Sequence, residues 1–266
     1  KYRCARDRSI FIKFLLNMNK KIKVEICCGS AEDAIEAWLG GADRVELCSS
    51  LFLGGLSPSL GSLLEVKAKS DIEVAVMLRP REGGFCYSES DFSVLMRDAE
   101  LMMSHGADAL VVGLLTSDGT VAKTRLKTLM SLTGDLPVCF HRAIDVVPDW
   151  RVALDVLMDL GVKRVLSSGQ AVSAFEGRDT LREMIEYCGA RVVVMPGAGI
   201  RNENVAELLD VTGASEIHLG GVSRVMSDSS TQHNLNLRFG NPNSPPENSY
   251  KRVDRALVKA FINSLP

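Results

Sequence analysis

The sequence predicts an α/β chain folded as one (β/α)8 barrel of the TIM type, and three observations predict it. Eight short strand-like runs alternate with amphipathic helical stretches, the pattern of βα units on a parallel sheet. Four of the strands are introduced by one phrase: "GGADRVEL" (40–47), "HGADALVV" (105–112), "LGVKRVLS" (160–167) and "TGASEIHL" (212–219). In each, a glycine closes a helix as a left-handed cap, one or two residues follow, and a strand begins. The length of 266 residues suits eight such units in a single domain, for which about 250 is usual. An open Rossmann-like sheet is the competing architecture. It is disfavoured because "CCGSAED", not G-x-G-x-x-G, follows the first strand.

In chain order, residues 1–21 read as a loose N-terminal extension. Arg3, Arg6, Arg8 and Lys13 surround a short apolar stretch that lacks the small-residue cleavage site of a signal peptide. The first strand is "KVEIC" (23–27) and the second ends "RVEL" before Cys48. "EVAVML" (73–78), the strand within 105–112, "PVCFH" (137–141), the strand within 160–167, "RVVVM" (191–195) and the strand within 212–219 complete the eight. Helical patterns such as "SAEDAIEAWL" and "DWRVALDVLMDL" lie between them. Residues 222–250 have loop composition, and "KRVDRALVKAFINSL" reads as a closing helix within the barrel unit of 22–266.

Composition limits the function. A net charge of -2 argues against a nucleic-acid footprint, and no apolar run reaches the roughly 20 residues that span a bilayer. Seven scattered cysteines suggest free thiols in a reducing compartment, not a disulfide framework.

Alternation along the strands supplies candidate site residues. "VEIC" and "VELC" put Glu25 with Cys27, and Glu46 with Cys48, on the inward face, with valine and leucine or isoleucine facing the helices. His141 and His218 point inward near the ends of the fifth and eighth strands, where barrel enzymes carry their chemistry. Matched thiols on neighbouring strands could bridge a soft ion, and two thiolates with no further obvious ligand fit Cu(I) better than a four-ligand zinc site. A second chemistry competes. Arg79 and Arg81 of "RPR" form a candidate carboxylate or phosphate clamp, and Gly197 and Gly199 of "PGAGI" a backbone cradle, with His218 beneath. Glu25, Glu46, His141 and Asp145 would then serve as proton-transfer groups of a lyase, isomerase or hydrolase acting on a small anionic or sugar-like substrate. No organic cofactor is indicated.

The segments "VEICCGS", "GGADRVELCSS", "GGLSPSLG", "RPREGGFCYS", "FHRAID", "VLSSGQ" and "MPGAGI" resemble, in order, the copper homeostasis protein CutC family. The resemblance implies a TIM-type barrel in the cytoplasm, a homodimer or higher oligomer, and a role in copper handling. It also implies that Cys27 and Cys48 match the cysteines proposed to bind Cu(I). The chain departs from the family at Glu82, Gly83 and Gly84, where Gly-Gly-Asp is common, so an acid of that loop is missing or displaced.

Overall fold

A computed structural model describes residues 21–228, 230–231, 233–234, 236, 239 and 246–266. The expected extension, apart from Lys21, lies outside the described residues. All eight strands form: β1 (Lys23–Cys28), β2 (Arg44–Leu47), β3 (Glu73–Met77), β4 (Ala109–Val112), β5 (Val138–Phe140), β6 (Arg164–Ser167), β7 (Val193–Pro196) and β8 (Glu216–Leu219). The intervening helices are α1 (Ala31–Leu39), α2 (Leu60–Lys69), α3 (Glu89–Ser104), α4 (Lys123–Thr133), α5 (Trp150–Asp159), α6 (Arg178–Cys188) and α7 (Val205–Thr212), with α8 (Arg255–Asn263) last. Every ladder of this eight-stranded sheet is parallel, in the order β7-β6-β5-β4-β3-β2-β1-β8. The seam between β7 and β8 is joined by the bridge of Gly197 to His218.

The repeated glycine phrase works as the sequence suggests, since Gly41, Gly106, Gly161 and Gly213 all have positive φ. Helix starts are equally local. Ser30, Ser59 and Ser88 cap α1, α2 and α3 with their side chains, and Asp149 and Asp254 cap α5 and α8.

Alternation divides the core in two. Val24, Ile26, Val45, Leu47, Val74 and Val76 pack outward against the helices. Inside the barrel, Cys48, Ala75, Met77, Val111, Cys139, Leu166 and Met195 form a smaller cluster against which Cys27 packs.

The segment 222–250 is not irregular throughout, as its composition suggested. Its ends lie in an antiparallel ribbon of β9 (Ser223–Ser227) and β10 (Ser249–Val253). Polar side chains hid this ribbon from hydropathy patterning, because both strands are largely exposed. It is held to α1 by Asp33, which accepts from Val253 N at 2.8 Å and from Gly29 N at 2.9 Å. No helix among the described residues is long and apolar enough to cross a membrane.

Candidate metal centre

The floor of the site is a charged layer inside the barrel. Arg44 opens β2 with its side chain fully buried. It binds Glu25 through Nε, Glu216 through Nη2 at 2.6 Å, and stands 3.5 Å from Glu73. Arg164 of β6 reaches the same Glu216 at 3.0 Å. Sequence reasoning missed Arg44 and Arg164. The signal was present, because Arg44 stands two residues before Glu46 and therefore on the same face of β2.

Above this floor, His218 Nδ1–H donates to Glu25 Oε1 at 2.7 Å, and its Nε2 faces Glu46 Oε2 at 3.9 Å. Burial would raise the Glu25 carboxyl, but the hydrogen bond from His218 and the Arg44 charge outweigh it and hold Glu25 at about 2. Burial would likewise discharge His218. Glu46, Cys27 and Glu25 around it prevail and push its pKa well up, so the ring stays cationic.

Both sulfurs of the site, Cys27 Sγ and Cys48 Sγ, lie 3.5 Å from Glu46 Oε2. Donor atoms of Cys27, Glu46 and Cys48 fall within 4.8 Å of one another, as do those of Glu25, Glu46 and His218. The strand register brings the sulfurs together differently from the sequence picture of facing partners. Cys27 pairs with Glu46, not Cys48, and Cys48 lies one residue beyond β2 with its amide on Cys28 O at 2.8 Å. The thiols therefore meet on a diagonal, with the Glu46 carboxyl between them. Interaction with the Cys48 thiol, with help from His218, draws the Cys27 pKa down to about 5. Cys48 is pushed well above the ordinary thiol range by its interaction with Cys27 and by burial. Burial raises Glu46 to about 8.

The remaining candidates are placed elsewhere. The expected guanidinium clamp is not assembled. Arg79 Nη1 donates to Leu53 O at 2.8 Å and Gly55 O at 2.9 Å, and Nη2 to Gly83 O at 2.8 Å. Arg79 thus braces the loop after β2, where a Cβ on Gly55 would stand 3.3 Å from Cys48 Sγ. Arg81 is occupied by Asp91 and by the carbonyls of Glu82, Gly84 and Cys86. The backbone cradle is also not formed as expected, since α7 begins at Val205, well beyond Gly199. The Gly197 amide donates to Ser167 O at 2.9 Å, and a Cβ there would lie 2.5 Å from Leu166 Cδ1 and 3.3 Å from His218 Cβ. Gly197 is needed for closing β7 onto β8 beside the site.

His141 and Asp145 are held by separate partners. His141 Nδ1 accepts from Ala143 N at 3.0 Å, and burial with the nearby Arg79 charge lowers its pKa to about 3. Asp145 accepts from Ser167 Oγ at 2.6 Å, Ser168 N at 3.0 Å and Arg142 Nε at 2.8 Å, which ties down the loop after β6. Of the sequence candidates, the structure brings together Glu25, Cys27, Glu46, Cys48 and His218.

Comparison with known proteins agrees with this arrangement of motifs. The profile of the CutC family matches residues 22–223. A family protein CutC of Treponema denticola is 45% identical over 246 residues, covering 92% of this chain and 100% of that protein. The human copper homeostasis protein cutC homolog is 43% identical over 239 residues, covering 90% of this chain and 87% of that protein. The crystal structure of the copper homeostasis protein CutC of Streptococcus agalactiae superposes with a TM-score of 0.70 at 33% identity, covering 74% of this chain and 97% of that one. Unrelated barrels, among them a phosphoribosylanthranilate isomerase of Thermotoga maritima (TM-score 0.54, 13% identity), share the fold alone. On the profile match and these identities, the chain belongs to the CutC family.

Proposed function

We propose that this protein is a Cu(I)-binding copper homeostasis protein whose ion is held by Cys27 and Cys48. The observation that carries the reading is the convergence of two sulfurs from neighbouring strands on one carboxyl oxygen, within 4.8 Å of each other. A metal–sulfur bond is about 2.3 Å in zinc sites, so two sulfurs on one ion stand at most about 4.6 Å apart. The pair thus needs little movement to share an ion. Thiolate donors in low number select Cu(I) over harder ions, and the names of the human and mouse relatives support copper as the cargo. Free thiols at all six described cysteines suit a reducing cytoplasm.

The test is Cu(I) binding against a competing chelator. Cys27→Ser combined with Cys48→Ser should abolish stoichiometric binding. Cys188→Ser, at the end of α6, should leave it unchanged. Equal affinity of the double variant and the parent would refute the assignment. We further propose self-association, with the exposed ribbon residues Val225 and Tyr250 as apolar surface available to a partner. Light scattering of a strictly monomeric species at high micromolar concentration would contradict it.

A further inference from the structure

The inner wall of the barrel carries more sulfur than the two thiols of the copper reading. Cys48, Met77, Cys139 and Met195 belong to one buried interior cluster, and Cys27 packs against it. Met77 is the residue whose position leads to the thiols. In the β2–β3 ladder Glu46 pairs with Ala75 and Leu47 with Val76, so the next step along both chains sets Cys48 against Met77. Ala75 and Met77 take the inward positions of β3, as Glu46 and Cys48 do along β2.

The loop after β2 records the contact. A Cβ on Gly55 would stand 3.3 Å from Cys48 Sγ and 3.9 Å from Met77 Cε, so the thiol and the methyl end of Met77 flank the same point. Met77 Sδ lies one bond from that methyl. Gly55 is fixed there by Arg79, which donates to its carbonyl at 2.9 Å, and its positive φ favours a residue without a side chain. No side-chain atom of residue 55 therefore enters the gap beside Cys48 and Met77.

A second observation concerns the sulfur lone pairs. Met195 Sδ accepts from Arg44 Nη2 at 3.4 Å, and Met184 Sδ accepts from Ser167 Oγ at 3.7 Å. Among the described residues no such donor stands on Met77 Sδ. The thioether beside Cys48 is thus the one left free to bind an ion. Methionine is unbranched and flexible, so its sulfur can turn toward an ion without movement of β3. A thioether is also a soft, neutral donor. It joins thiolates in selecting Cu(I), needs no proton removed, and brings no charge into a buried site.

We propose that Met77 is the third donor to Cu(I), making the centre a three-sulfur site of Cys27, Cys48 and Met77. The inference rests on the copper reading and deepens it, because it names the group that completes the coordination two thiols leave open. Met195 stays outside the set, because Arg44 holds its sulfur.

The experiment uses the full chain with selenomethionine at all ten methionines, reduced and loaded with one equivalent of Cu(I). X-ray absorption at the copper edge reads the atoms bonded to the ion. The expected result is a copper–selenium contact beside the copper–sulfur contacts, present in the parent and in Met195→Leu and absent from Met77→Leu. Met77→Leu, a volume-conserving change, should also weaken Cu(I) binding against a competing chelator. About tenfold is expected, the low end of what losing a supporting group at a metal site costs. The selenium contact is read in the unsubstituted chain, so the test does not depend on any variant folding. Cys27→Ser combined with Cys48→Ser separates the two claims. Copper that needs both cysteines but shows no selenium contact, or that keeps the contact in Met77→Leu, overturns the inference and leaves the copper reading standing. Copper bound equally well by the double cysteine variant, or not bound by the parent, overturns the copper reading and the inference with it.

Discussion

Replacing Arg44 with methionine removes the charge at the base of the site while keeping most of the side-chain volume. Arg44 is wholly buried, and its carboxylate partners Glu25 and Glu216 are 3% and 13% exposed in their side chains. Breaking a buried ion pair by deleting one partner costs about 3–5 kcal/mol, because the other charge is stranded. Here the stranded groups keep one partner each: Glu25 retains His218, and Glu216 retains Arg164. The loss should therefore fall at the low end, about 3 kcal/mol at neutral pH, against a total stability of about 5–15 kcal/mol. For a chain of this size that lowers Tm by about 6–12 °C. The deficit must also depend on pH, with a sign that follows from Glu25. Its folded pKa of about 2 lies below the ordinary 4.5, so as pH falls the unfolded chain takes up the proton first. Its stabilising contribution is complete above 4.5 and is lost toward 2. In Arg44→Met the folded Glu25 protonates at a higher pH, so parent and variant should converge in acid. Urea denaturation followed by tryptophan fluorescence at pH 7 and pH 3.5 measures both effects. A loss below about 1 kcal/mol at pH 7, or one that stays constant down to pH 3.5, would refute this account of Arg44.

Two further predictions concern the rim and the wall. With a thiolate pKa of about 5, Cys27 in metal-free protein should be alkylated by iodoacetamide at a nearly constant rate from pH 8 to about 6, then about tenfold more slowly per pH unit below 5. Peptide mass spectrometry reads the rate, and a rise through pH 8–9 would show an ordinary thiol. At Gly113, after β4, a Cβ would lie 1.9 Å from His141 Cε1 and 2.7 Å from Ala143 Cβ. Gly113→Ala should therefore cost about 1–3 kcal/mol in urea denaturation through overpacking, and an unchanged midpoint would show that His141 can swing away.

Much of the barrel is legible in the sequence, because each of its units is specified locally. The glycine caps, the serine and aspartate helix starts and the two-residue alternation are short-range signals that survive into the fold. The alternation also identified Glu25, Cys27, Glu46, Cys48 and His218 as inward residues near one rim. The register between strands was not legible, because nothing local says how far β2 slides along β1. Cys27 consequently sits beside Glu46, and the thiols meet across a carboxyl group. The fate of Arg79 was hidden for a similar reason. Its place at the end of β3 could be read from "RPR", but two of its three carbonyl acceptors belong to a loop more than twenty residues earlier, at Leu53 and Gly55. Those carbonyls are aimed by Gly54 and Gly55 at positive φ, a geometry that only the assembled barrel fixes.

These contacts also explain how a barrel interior tolerates a thiolate. From floor to rim the charges alternate: Arg44 is cationic, Glu25 anionic and His218 cationic, each bonded to the group before it, and beyond them lies Cys27, whose thiol pKa is drawn down to about 5. Each ion offsets the burial of its neighbour, which an isolated thiolate at that depth could not achieve. The hydrogen bond with Cys27, together with burial, pushes the Cys48 thiol well above its ordinary range, and burial raises Glu46 to about 8. A monovalent soft ion fits this balance. The proposed Cu(I) would take the place of the Cys48 proton, one positive charge for another, and would leave the alternation beneath undisturbed. A divalent ion at the same two sulfurs would leave an added positive charge above two buried cations, Arg44 and His218, unless a further proton left His218 or Glu46. On the proposed copper reading, the charge order set up by Arg44, at the opposite end of the strands from the thiols, would favour Cu(I) over a divalent ion of similar thiolate affinity.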